Sequence, residues 1–159
     1  PSPLPYPPLF RADTEAGRAV VVADDVLGPN GLCFSPDESI LYVVESRGEP
    51  TRKILAYDVA SDGRTLSNKR VHIDAGPGGT PDGMRCDVDG NLWCGWGMGD
   101  AALDGVFVYA PEGELIGRIA LPGSCANVCF GGLKRNRLFM AASQSMYSLY
   151  VNTQGVAGG

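Results

Sequence analysis

This 159-residue sequence predicts an all-β fold, and three observations carry that expectation. Short apolar runs rich in Val, Ile, Leu, Tyr and Phe recur along the chain, each bounded by Gly, Pro, Asp, Asn or Ser. That is the pattern of strands separated by tight turns. No stretch carries a sustained apolar stripe of period 3.6 with a cap, so essentially no helix is expected. Three segments also share one layout: GPNGLCFSPDESILYVVES from Gly28, TPDGMRCDVDGNLWCGWG from Thr80 and CANVCFGGLKRNRLFMAAS from Cys125. In each, a small polar residue leads into a short strand, a turn and a second strand. The anchors Asn30, Asp82 and Asn127 lie 52 and 45 residues apart. Repeats of about 40–50 residues with several strands apiece are the sequence signature of β-propeller blades.

The opening PSPLPYPP lacks backbone donors at its prolines and reads as an extended connector. PLFRAD and AVVVADDV then supply two strands, read as the outer half of a preceding blade within residues 1–27. GLCFS, ILYVVES, KILAYDV and RVHID make a four-stranded blade over residues 28–79, punctuated by SPDES, RGEPTR and SDGRTLSN. GMRCDV, NLWCGW, GVFVYAP and LIGRIAL make another over 80–124, separated by DG, the Gly-rich GMGDAALD and EGE. NVCFGG, RLFMAAS and MYSLYV leave an incomplete last blade over 125–159. The thirteen expected strands amount to about three blades, whereas closed propellers have about four to eight. The chain is therefore expected to be the trailing part of a larger ring, with the N-terminal half missing and a segment of that half closing the last blade.

Gly (22) and Pro (12) suit a chain of many turns. A net charge of -5 and a pI near 4.8 argue against nucleic acid and anionic membranes as partners, since both are themselves negative. No apolar run approaches the roughly 20 residues of a membrane helix. The five cysteines form no CxxC pair and are odd in number. Cys33, Cys86 and Cys94 sit inside apolar strand runs and, with Cys125 and Cys129, read as small buried hydrophobes rather than zinc ligands. Lack of a disulfide framework leans towards a cytoplasmic location, with a periplasmic one as the alternative. The lone histidine, His72, lies in the alternating segment RVHID and reads as a strand surface residue. No serine or cysteine sits in a nucleophile setting, which excludes Ser-His-Asp and Cys-His chemistry supplied by this chain alone. Asp37, Glu38, Asp87, Asp89 and Glu112 fall in or beside hairpin turns and are expected to be solvated. Trp93, Trp96 and Met98 are expected in the core or on its rim.

The first strand of each propeller blade lines the central channel, and Asn30, Asp82 and Asn127 occupy that phase of their repeats. An Asn amide oxygen and an Asp carboxylate are hard donors suited to Ca²⁺, Mg²⁺ or Mn²⁺. PNG and PDG are equally strong turn sequences. From the residues alone, a turn at each position and a shared metal site both stand. DVDGN has two acids before its Gly and does not make a D-x-D-x-D-G calcium loop.

GPNGLCFSPDESILYVVES, GTPDGMRCDVDGNLWCGWG, GVFVYAPEGELIGRIALP and CANVCFGGLKRNRLFMAAS resemble, in this order from about Phe10 to Val151, the C-terminal half of the gluconolactonase/senescence-marker-protein (regucalcin-like) family. The linked pattern PNGL-x-FSPD, PDGM-x-x-D-x-x-GNLW and NVCFGG carries the likeness. The resemblance implies a six-bladed propeller of which this chain is about three blades, one divalent cation (Ca, Mg, Mn or Zn) in the central channel, and hydrolysis of a small-molecule sugar lactone. It implies Asn30 as a metal ligand, and Asp82 as a metal ligand and the catalytic base. Asn127 falls where many members carry a channel-lining residue. The family's remaining ligand, a Glu near its N-terminus, and its third-blade substrate residues have no counterpart in these 159 residues, so this chain alone is expected to be inactive and to bind metal weakly. Two rival readings are a non-catalytic propeller that binds a cation or a protein partner, and a related phosphotriester or lactone hydrolase.

Overall fold

A computed structural model describes residues 6–157, so most of the proline-rich opening and the last two glycines lie outside the described residues. Thirteen strands form four sheets, and the regular structure otherwise holds one 3-10 turn, Ala101–Leu103. Strands β1 (Leu9–Asp13) and β2 (Arg18–Ala23) form a hairpin. The next sheet is a meander of β3 (Pro29–Phe34), β4 (Ile40–Glu45), β5 (Lys53–Val59) and β6 (Leu66–Asp74). A second meander takes β7 (Pro81–Cys86), β8 (Leu92–Trp96), β9 (Gly105–Tyr109) and β10 (Leu115–Ala120). The last sheet holds β11 (Cys125–Gly131), β12 (Arg137–Ala142) and β13 (Ser145–Tyr150). Every pairing is antiparallel, as short connections between consecutive strands require. No helix among the described residues is long and apolar enough to cross a membrane.

The middle strands read as nearly continuous apolar runs because they are covered on both faces. Along β4 and β5, Leu41, Val43, Leu55 and Tyr57 join a core with Val26, against which Leu9 and Ala23 pack. The alternate residues Tyr42, Val44, Ile54 and Ala56 enter a second core with Met84, Leu92, Cys94, Trp96, Phe107 and Tyr109. Val106 looks the other way, into a third core with Cys125, Val128, Leu138 and Met140. Period-two alternation thus hands successive side chains to different inter-sheet cores. Trp96 stacks on Phe107 at 4.4 Å, and a fully buried aromatic of this size contributes about 2–3 kcal/mol. The last strands of the three larger sheets are mostly exposed or half-buried.

At β3, β7 and β11 the sheets meet, and each of these strands carries a register break near its start. In β3, Pro29 pairs with Glu45 and Leu32 with Val43, so Asn30 and Gly31 face Val44 alone. In β7, Pro81 pairs with Trp96 and Met84 with Cys94, so Asp82 and Gly83 face Gly95 alone. PNG and PDG are therefore β-bulges inside strands and not turns. The turn reading fails because the bulge leaves the chain extended and uses the glycine for close approach. A Cβ on Gly31 would overlap the Asp82 carbonyl oxygen and stand 2.9 Å from Gly83 Cα. A Cβ on Gly83 would stand 2.5 Å from Asn127 Oδ1 and 2.8 Å from the Ala126 carbonyl oxygen.

The acidic turns divide into two kinds. Asp37 is exposed and accepts from the Ser35 hydroxyl (2.7 Å), the Ser39 hydroxyl (2.8 Å) and the Ser39 N–H (3.1 Å), which draw its carboxyl down to about 2. Asp87 is wholly buried, against the expectation that it would be solvated. Its oxygens accept from the Asp89 and Asn91 N–H groups, the Asn91 amide and Trp93 Nε1 at 2.8–3.1 Å, and Val88 N–H donates to Gln154 as the chain returns across this turn. A buried carboxylate stays because every one of its partners is a donor.

Gly31→Ala is expected to cost about 2 kcal/mol or more in chemical denaturation, because rigid backbone must move aside. Gly117→Ala, with only ordinary contacts to Val108 at 3.7 Å or more, is the control and should change stability by less than about 0.5 kcal/mol. Asp87→Ala is expected to cost about 3 kcal/mol, since Asn91 and Trp93 lose a buried acceptor. A loss under about 1 kcal/mol would show that the turn holds without its carboxylate.

Candidate functional site

Asn30 and Asp82 occupy the same position in neighbouring sheets, the first residue of each bulge. A bulge re-aims its side chains out of the regular alternation, and here the Asn30 side chain comes near enough to the Asp82 carboxylate to draw its pKa down. Asn30 is exposed and Asp82 half-buried. Burial pushes the Asp82 carboxyl above the usual carboxylate range, while the Asn30 side chain and the Gly83 N–H pull it down without cancelling the rise. Among the described residues no Lys, Arg or His pairs with it. Asp82 is thus a carboxylate partly stripped of water and lacking a counter-charge.

Asn127 lies against Gly83, as the sequence phase suggested, but its Oδ1 accepts from the Val128 N–H at 2.9 Å. Cys125, two residues earlier, is buried, and its thiol donates to the Asn127 carbonyl at 3.4 Å. Burial raises that thiol to about 11, with the Asp82 charge acting in the same direction. Cys125 is therefore a neighbour of the site that sequence reasoning took for plain core; its place at the head of the third repeat was the available signal. Thr80 was also missed. Its buried hydroxyl donates to the Gly97 carbonyl and accepts the Gly97 N–H at 3.1 Å, clamping the start of β7 to the end of β8.

The other residues singled out fall elsewhere. Trp96 is core, and Trp93 packs edge-on against Phe130 at 5.6 Å while Nε1 serves Asp87. Met98 is exposed in the loop before the 3-10 turn. His72 is half-buried against Tyr42, ring centroids 4.9 Å apart, and burial lowers its pKa. That corrects its reading as a surface residue: the Tyr42 ring packs against it. Four cysteines are buried as expected, but Cys129 is exposed because β11 turns that position outward.

A cation implied at this place has to suit the donors present. Among the described residues no group of three or more His, Cys, Asp or Glu could hold a metal ion. The Asn30 amide and the uncompensated Asp82 carboxylate are two neighbouring hard oxygen donors, of a chemistry that fits a Ca²⁺, Mg²⁺ or Mn²⁺ ion as part of its shell.

Comparison with known proteins bears on the whole chain. Residues 3–144 match the family described as SMP-30/Gluconolactonase/LRE-like region. A gluconolactonase of Zymomonas mobilis subsp. mobilis is 35% identical, the match covering 94% of this chain and 42% of that protein. A 6-deoxy-6-sulfogluconolactonase of Pseudomonas putida is 34% identical, covering 86% of this chain and 45% of that protein. The solved structure of a gluconolactonase from Xanthomonas campestris superposes with a TM-score of 0.73 at 33% identity, covering 89% of this chain and 43% of that one. The chain spans a little under half the length of these relatives. The stacked antiparallel sheets are those of a partial β-propeller. With a family match running through all but its ends, and the same fold in a solved relative, the chain belongs to the SMP-30/gluconolactonase/LRE-like family.

Proposed function

We propose that the whole protein hydrolyses a sugar lactone with the help of a divalent cation held in part by Asn30 and Asp82. The observation that carries this reading is the placement of Asn30 and Asp82 at matching bulges of neighbouring strands, with burial of the carboxylate offset by no protein cation among the described residues. Membership of a family whose relatives are named gluconolactonase and 6-deoxy-6-sulfogluconolactonase supports a sugar lactone as substrate. The two oxygen donors favour Ca²⁺, Mg²⁺ or Mn²⁺ over Zn²⁺, which prefers nitrogen and sulfur. When bound, such an ion supplies Lewis-acid polarisation of an ester carbonyl.

The chain's own residues then divide the work. The Asn30 amide oxygen and the Asp82 carboxylate would hold the cation. Asp82 also accepts a proton from the water that adds to the lactone carbonyl carbon. The ring C–O bond breaks, its oxygen takes up a proton, and the product is an open-chain hydroxy acid. Gly31, lying on the Asp82–Gly83 backbone, keeps β3 and β7 at the separation that sets Asn30 beside Asp82. Asn127, whose oxygen is engaged by the Val128 N–H, serves at most as a channel-lining residue. The blades carrying this arrangement run over residues 28–79, 80–124 and 125–159, with residues 1–27 giving outer strands of a preceding blade.

In the whole protein, Asp82→Asn is expected to lower sugar-lactone hydrolysis by about 100-fold or more and to weaken cation binding in calorimetric titration. Its stability should move the other way. A carboxyl raised in the folded state loses folding stability as pH climbs from its unfolded value, about 3.9, through the higher folded one. Above that window the ionised group is a net burden, so the neutral Asn variant should melt no lower than the parent at pH 7. Unchanged hydrolysis with unchanged cation affinity would remove Asp82 from both roles, and cation binding by a parent protein that hydrolyses no sugar lactone would favour a non-catalytic propeller. Unchanged affinity with lost hydrolysis would leave Asp82 as the base alone.

A further inference from the structure

The strands that carry Asn30 and Asp82 also carry a pair of thiols at their other ends. Cys33 lies three residues beyond Asn30 on β3, and Cys86 four beyond Asp82 on β7. Their sulfurs are 3.9 Å apart, in contact across two sheets that share no strand pairing there. Both line one cleft of about 220 Å³, with Leu32, Ser35, Arg85 and Val156, that opens to solvent. We propose that Cys33 and Cys86 are an oxidisable pair that closes to an inter-sheet disulfide when hydrogen peroxide or a similar small peroxide enters this cleft. The inference goes beyond the hydrolase reading and does not depend on it.

The chemistry balances without any group the protein lacks. One thiolate sulfur attacks a peroxide oxygen, the O–O bond breaks, and a sulfenic acid and water result. The second sulfur then displaces the sulfenic oxygen as water and forms the S–S bond. Two thiols give up two electrons and two protons, and one peroxide becomes two waters. Closing requires the sulfurs to approach by about 1.9 Å, to the usual 2.05 Å.

The surroundings select this pair. Cys94 is the third thiol near them, but it is fully buried and does not line the cleft. Cys125 sits at the opposite end of the inner strands, beside Asp82. Cys129 is exposed and has no thiol beside it among the described residues. The thiol of Cys33 is pushed up by its hydrogen bond with Cys86 and by burial, while the Arg85 guanidinium pulls it down. Closure is accordingly slow, a response to sustained oxidant and not to a brief pulse. The link spans 53 residues of chain and ties β3 to β7, so it stiffens the two strands that carry Asn30 and Asp82.

The test exposes the protein to millimolar hydrogen peroxide in a Cys129→Ser background, then alkylates the remaining thiols and maps peptides by mass. Expected are a loss of two alkylatable thiols, a 33–86 cross-linked peptide, and a melting midpoint raised by about 5 °C or more. Dithiothreitol should reverse all three. Cys86→Ser and, separately, Cys33→Val should each abolish the cross-link and the shift. The peptide map of the Cys129→Ser protein alone decides the matter should either variant fail to fold. Cys33 and Cys86 remaining alkylatable, a cross-link to Cys94 instead, or direct passage to sulfinic acid at either residue would each overturn the proposal.

Discussion

Backbone-to-backbone contact between the first strands of successive sheets is the constraint on which the rest of the molecule depends. Gly31 lies on the Asp82–Gly83 peptide, Gly83 on Ala126 and Asn127, and Gly95 on the Cys125 carbonyl. Each contact exists because no side chain intervenes. With the strands touching at these points, the sheets can only stack face to face, and the alternating residues of β4, β5, β8 and β9 fill the spaces between them as separate cores. A side chain at Gly31 would wedge the sheet of β3 from the sheet of β7 beside Asp82. Packing and site therefore share one determinant.

The site works against stability at one atom group and is supported by its neighbours. Half-burying Asp82 raises its carboxyl because water is lost and a single amide plus one N–H return only part of the solvation. Asp87, five residues on, shows the alternative: a carboxylate more deeply buried, but ringed by donors from Asp89, Asn91 and Trp93. The two aspartates of one repeat thus take opposite roles. Asp87 is satisfied by protein and holds the turn, whereas Asp82 has no counter-charge among the described residues.

Most of the architecture was legible in the residues. Strand number, order and grouping followed from period-two apolar runs and from turn residues between them, because each middle strand is buried on both faces and each last strand on one. The repeat phase matched Asn30 and Asp82, which the structure sets at the same bulge position of neighbouring sheets. What was not legible came from tertiary contact. PNG and PDG have the composition of turns, and only the partner strand's register shows them as bulges. DVDGN has the look of a solvated turn, yet the chain returning at Gln154 and Gly155 covers it and buries Asp87. The contact between Cys33 and Cys86 joins different sheets, and no local pattern encodes such a distance.

The third repeat explains why two anchors form a pair and the other stands aside. Asn127 shares the sequence phase of Asn30 and Asp82, but the residue after it is Val128 and not glycine. Val128 is buried in the core beneath β12, so this strand cannot offer a bare backbone to a further neighbour. Its register break falls one residue earlier, at Ala126, which returns Asn127 to the ladder opposite Ala141. Asn30 and Asp82 have no such ladder partner and are free to turn towards each other. Held in the ladder, Asn127 uses its oxygen on the Val128 N–H. The glycine after each anchor, more than the anchor itself, decides whether a polar side chain in this fold is held in its own ladder or freed towards the neighbouring strand.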